Sequence, residues 1–186
     1  MDPFTILSPS RCALLVIDPQ ERLMAAIHKA EQVVQNMALA IRAAKEFSIP
    51  IIVTTQYKKG IGPIVPALEG LLEGIEEYDK VEFDAFTNGP INDAIEGLPA
   101  SCDTLVLTGV ETHICIHQTA ISAVTRGFNV VILEDAVSSR NKRHKKAAIE
   151  NFRSWGLKVC PVETLIFEFL KKAGTKEFKA LLPYIK

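Results

Sequence analysis

No apolar run in this sequence reaches the ~18 residues that a membrane-crossing helix needs, which excludes a helical membrane protein. An excess of charge of either sign is also missing. The 21 Lys+Arg and 22 Asp+Glu leave a formal net charge of −1, so no basic face speaks for a nucleic-acid partner. The one dense basic run, Lys142 to Lys146, leads into Ala147, Ala148 and Ile149 and reads as the solvated side of a helix. Cysteines number 4 (Cys12, Cys102, Cys115, Cys160) and form no C-x-x-C pair, too sparse for a disulfide scaffold. There is no G-x-G-x-x-G, Walker A or zinc-ribbon spacing, so no nucleotide, redox cofactor or metal is implied. The opening M-D-P-F-T-I-L-S-P-S lacks the charged and apolar parts of a signal peptide, and a cytoplasmic location is the expectation.

What the chain does have is material for a core. Hydrophobic residues make up 48% of 186, enough for one α/β domain spanning residues 1–186, with no internal repeat or linker. The stretch that organises it runs from Thr104 to Arg126. An apolar, β-branched run (104–108) gives way after Gly109 to apolar and small residues at helical spacing, Ile116, Ala120, Ala123 and Val124. Cys115 falls in the first turn of that helix. Unpaired N–H groups and the positive end of the helix dipole meet there, an arrangement that lowers a thiol's pKa and leaves donors for a developing anion. Cys12, Cys102 and Cys160 border predicted strands and read as small hydrophobes.

In order, the pattern predicts strands at 12–17, 49–54, 80–83, 104–108, 129–133 and 157–160. Helices are predicted at 30–47, 90–96, 113–126, 141–155 and 162–171, and a last one after Thr175. Residues 55–69, with two glycines and two prolines, read as a long ordered loop that could roof a site. Strands alternating with helices imply a three-layer α/β/α Rossmann-like domain with a six-stranded, mostly parallel sheet. Such sheets bind ligands at the carboxyl ends of their strands, and Asp18, Lys80 and Cys115 fall at or near such ends.

Three segments then resemble a known family. D-P-Q (18–20), K-V-E-F-D-A-F (80–86) and G-V-E-T-H-I-C (109–115) are similar, in the same order and across nearly the whole chain, to the motifs of the isochorismatase-like cysteine hydrolases. The 56–66 loop and D-A-V-S-S-R (135–140) look most like the isochorismatase domain-containing subgroup. The resemblance implies a triad: Cys115 as nucleophile, Asp18 as general base then acid, and Lys80 as orienting cation. It also implies a cis peptide at Val110–Glu111, oxyanion donors from the Glu111 and Cys115 amides, a small-molecule substrate, no cofactor, and a homo-oligomer. Members that cleave nicotinamide carry an Asp and histidines where this chain has T-T-Q-Y-K-K, and the vinyl-ether-cleaving members work without this cysteine. The implied activity is therefore that of an amidase, with no metal.

Plainer readings stand beside these. Asp18 alone would be a cap for the turn at Pro19, Lys80 a surface lysine and Cys115 a core thiol. His113 and His117 share a helix face, but no third ligand accompanies them. Tyr57, Phe83 and Phe86 are candidates to line a small pocket with Gln20 and Gln56 as polar contacts, although aromatics near a strand are more often core. The C-terminal Phe178, Leu181, Leu182 and Tyr184 suit either an interface or packing onto the chain's own sheet. The competing class for the whole protein is a binding or scaffold protein on the same fold.

Overall fold

A computed structural model describes residues 5–185; the first four residues of the segment read for targeting lie outside them. Six parallel strands, β1 (Cys12–Ile17), β2 (Ile51–Gln56), β3 (Glu77–Lys80), β4 (Thr104–Val110), β5 (Asn129–Ser138) and β6 (Lys158–Cys160), form one sheet in the order β3-β2-β1-β4-β5-β6. All pairs are parallel, a stricter sheet than the mostly parallel one expected. The order reverses direction between β1 and β4, and in such sheets the crevice at that switch point is where ligands bind.

The helices are α1 (Glu21–Met24), α2 (Ala30–Glu46), α3 (Lys58–Ile61), α4 (Pro66–Leu72), α5 (Gly89–Glu96), α6 (His117–Thr125), α7 (Lys142–Ser154), α8 (Val162–Leu170) and α9 (Lys176–Ile185). They cover both faces of the sheet, and β1 shows why. Its six residues are all buried, with Leu14 and Val16 in the cluster under α2 and α8, and Ala13, Leu15 and Ile17 in the cluster under α5, α6 and α7. In α2, Val33, Met37, Ala40, Ile41 and Ala44 recur at helical spacing and are buried. The C-terminal segment folds back rather than standing free: Leu181 is buried, and Phe178 packs on the core shared with α2.

Several boundaries depart from the sequence reading, among them the end of β5, which runs on from 133 to Ser138. The 80–83 strand is displaced: β3 ends at Lys80, while Val81 and Phe83 are 67% and 52% exposed beyond it. As an edge strand, β3 can be polar (E-Y-D-K), and the apolar V-x-F pattern misled. The 55–69 loop is partly regular, because β2 continues to Gln56 and α3 and α4 follow. Between β4 and α6 lies a π-helical turn, Thr112–Ile116, so the α-helix begins at His117.

Candidate active site

β1 stops at Ile17 because Asp18 turns into the left-handed region (φ +53) and Pro19 follows. Asp is one of the few non-glycine residues that tolerates that conformation. The Asp18 N–H still donates to the Thr54 carbonyl at 3.1 Å, which keeps the residue tied to the sheet end. Its side chain has 0% exposure, and a lone carboxylate there would carry a large desolvation cost. Two donors meet that cost: Lys80 Nζ reaches Oδ2 at 2.7 Å, and Thr54 Oγ1 donates to Oδ1 at 2.7 Å.

Lys80 is the last residue of β3, two strands from β1, a span of about 10 Å at ordinary strand spacing. Its four-carbon stem lets the ammonium cross the end of β2, and its side chain is also 0% exposed. Gln56, the last residue of β2, accepts a second bond from Nζ at 2.7 Å and anchors itself by donating to the Val81 carbonyl at 2.8 Å. A buried ion pair is weak as a stabiliser, and one set at the carboxyl ends of the strands is a candidate functional site.

Opposite, Gly109 at the end of β4 has φ +117, and a Cβ there would lie 1.9 Å from the Ile17 carbonyl oxygen. Only glycine allows this close approach of β4 to β1, next to Asp18. The Val110–Glu111 peptide that follows is cis. The π-helical turn then carries Cys115, 6% exposed. Its thiol is pushed up to about 12, by burial first and then by the Asp18 carboxylate; the Lys80 ammonium and the Glu111 amide act in the opposite direction.

The expectation of a thiol made acidic by the helix end is therefore corrected. Burial and the neighbouring carboxylate outweigh the dipole. Burial also raises Cys12 to about 12 and Cys160 to about 11, so acidity does not distinguish Cys115. Its neighbours do: the field of the Asp18 carboxylate and the opposing field of the Lys80 ammonium both reach it.

Several pairings escaped the sequence reading, in which Gln56 stood only as a polar contact of a pocket. Thr54 and Gln56 hold Asp18 and Lys80, and the available signal was a polar T-T-Q ending an otherwise apolar, buried strand. The Glu111 carboxylate is held by Arg140, whose Nε donates at 3.0 Å and whose backbone N–H donates at 2.8 Å. Thr112 Oγ1 is buried with no hydrogen-bond partner among the described residues.

The pocket candidates divide. Tyr57 and Phe83 stand exposed, near the ends of β2 and β3. Gln56 is committed to Lys80. Gln20 does not front the crevice: it is fully buried, with its amide exchanging hydrogen bonds with the Gln56 backbone and donating to the Gly62 carbonyl. Phe86 is core, packed near Phe128 with Arg126 over its ring. The two histidines part ways. His113 Nδ1 meets Ser139 Oγ at 2.9 Å, while the ring of His117 packs against Phe152 and Trp155.

Comparison with known proteins gives consistent matches. The isochorismatase domain model matches residues 12–164. Isochorismatase family protein 1A of Dictyostelium discoideum is 33% identical over 183 residues, covering 95% of this chain and 87% of its own. Among solved structures, the MAR1 ribonuclease of Caenorhabditis elegans superposes with a TM-score of 0.89 at 31% identity, covering 97% of this chain and 92% of the other. The YcaC gene product of Escherichia coli, an octameric hydrolase of unknown specificity, shares the fold with a TM-score of 0.89 at 22% identity, over 99% and 92% of the two chains.

Proposed function

The chain belongs to the isochorismatase-like hydrolase family, and from that premise we propose that it cleaves a C–N bond of a small amide through an acyl-thioester on Cys115. The observation that carries this reading is the solvent-free Lys80–Asp18 pair at 2.7 Å beside the thiol. In the proposed reaction Cys115 Sγ attacks the amide carbonyl as its proton passes to Asp18. Lys80 holds the carboxylate in place and offsets charge as the thiolate forms. The Glu111 and Cys115 amides are assigned to the developing oxyanion. Asp18 then protonates the departing nitrogen, the C–N bond breaks, and an amine leaves. Water, deprotonated by Asp18, attacks the thioester; the acid is released, and the proton returns to sulfur.

The test is a panel of small amides offered to the wild type and to Cys115→Ala. Turnover should fall at least ~10³-fold in the variant while its melting temperature is unchanged. Full turnover in Cys115→Ala contradicts the mechanism. A second reading, a binding protein on the same fold, draws on the 6% exposure of Cys115 and its thiol at about 12. It predicts that small amides bind wild type and Cys115→Ala alike and that no acyl adduct forms.

With the hydrolase reading go a single functional domain over residues 1–186, a cytoplasmic setting and a homo-oligomer; the octameric state of the Escherichia coli relative supports the last. No helix among the described residues is long and apolar enough to cross a membrane. A nucleic-acid substrate is not proposed, although the Caenorhabditis elegans relative is called a ribonuclease. A thiol, a carboxylate and an ammonium suit acyl transfer, and the net charge of −1 gives no general attraction to a polyanion.

A further inference from the structure

The basic run Lys142–Lys146, read from sequence as a solvated helix face, forms one wall of a cavity of about 410 Å³ at the carboxyl end of β5, apart from the triad. Lys142, Lys145 and Lys146 line it from the first turns of α7, and Lys29, Gln32 and Val33 line it from the start of α2, with Ser138 between them. The doubly wound topology accounts for the meeting. Helices leave the carboxyl ends of strands, so the N-termini of α2 and α7, which pack on opposite faces of the sheet, both open onto this end. α2 has no side-chain cap on its first turn.

α2 carries Glu31 in its first turn, but the charges at the start of α7 are placed against the usual rule. Helix N-termini attract acidic residues, yet the first turn of α7 has none and instead presents lysines to the positive end of the dipole. A locally unfavourable choice of this kind points to function. The two carboxylates in the cavity wall, Glu134 and Asp135, act on Lys145 but offset only part of the charge of Lys29, Lys142, Lys145 and Lys146. Glu134 pairs with Arg153 at 2.5 Å, and Asp135 accepts from the Val162 N–H at 2.9 Å. Lys146 makes only a long, exposed contact with Glu150 at 3.7 Å. Lys29, Lys142 and Lys145 have no ion pair among the described residues. Lys145 is half-buried, and burial pulls its ammonium below the ordinary lysine value. An anion would restore what burial removes.

We propose that this cavity binds the phosphate group of a small phosphorylated molecule, held by Lys29, Lys142 and Lys145 and by the first-turn amides of α2. Its volume lies within the range of roughly 300–1,000 Å³ typical of small-ligand sites. Lysines as point charges joined to helix-end N–H groups form a recurrent phosphate cradle.

Calorimetric titration of the full chain with inorganic phosphate, at ionic strength held constant with sodium chloride, tests this. The expected result is saturable one-site binding, weakened about tenfold by Lys29→Ala and by Lys145→Ala. Lys145→Arg should retain most of the affinity, and Lys171→Ala, in the separate groove beside α8, should leave it unchanged. Circular dichroism checks that each variant is folded. The proposal is overturned if phosphate shows no saturable binding at millimolar concentration. It is equally overturned if both folded alanine variants bind as wild type, or if Lys171→Ala weakens binding as much as they do.

Discussion

On the β1–β3 side of the crevice every charged or polar group has its partner: Asp18 holds Lys80 and Thr54, and Lys80 also holds Gln56. On the β4 side the Cys115 thiol is pushed up to about 12 and the Thr112 hydroxyl lies buried with no partner among the described residues. The proposed base and its cation are thus built into the fold as part of its hydrogen bonding. The proposed nucleophile, Cys115, lies within the field of both and is not acidified in advance. Reactivity in such a site comes from a proton acceptor within reach rather than from an acidic thiol.

The largest effect should come from breaking the satisfied side. Lys80→Met leaves the Asp18 carboxylate buried without its cation, a loss of about 3–5 kcal/mol, which at this chain length lowers the melting temperature by about 6–20 °C. A melting temperature within a degree or two of wild type would show that the pair is not buried as described. Next, Thr54→Val removes one hydrogen bond to a charged acceptor while leaving the shape nearly intact. It should cost about 1.5–3 kcal/mol in denaturant titration and lower turnover while Lys80 still holds Asp18. The smallest effect belongs to the β4 side. The Arg140 side chain is 61% exposed, so Arg140→Ala should cost under about 1 kcal/mol, with the backbone N–H still bound to Glu111. A loss as large as that of Lys80→Met would erase the contrast between the two sides.

The same contrast shows what could be read from the chain. β1, β4 and β5 are legible because a strand buried on both faces must be continuously apolar, and the right-handed crossover then leaves few topologies. β3 was misplaced because an edge strand carries no such demand, so the exposed V-x-F beyond Lys80 resembled a strand more closely than E-Y-D-K did. The identities of Asp18, Lys80 and Cys115 came from motif resemblance. The hydrogen bonds that Thr54 and Gln56 make to Asp18 and Lys80 did not, because hydrogen bonding across three strand ends depends on register, which no local pattern encodes. The thiol's raised pKa was missed for a related reason. A helix end is visible in sequence, whereas the burial and the carboxylate that outweigh it are not.

The pH profile of Cys115 alkylation by iodoacetamide, read by mass spectrometry in wild type and Asp18→Asn, tests the central claim most directly. If the thiol proton passes to Asp18, no proton is lost to bulk water, and the wild-type rate should be nearly flat through neutral pH. In Asp18→Asn the proton must leave to solvent, so the rate should climb about tenfold per pH unit. Loss of the carboxylate's field should also move that climb to a pH below the wild-type thiol's value of about 12. Parallel profiles in the two proteins, both rising toward about 12 as expected for the base-free Cys12, would contradict the account.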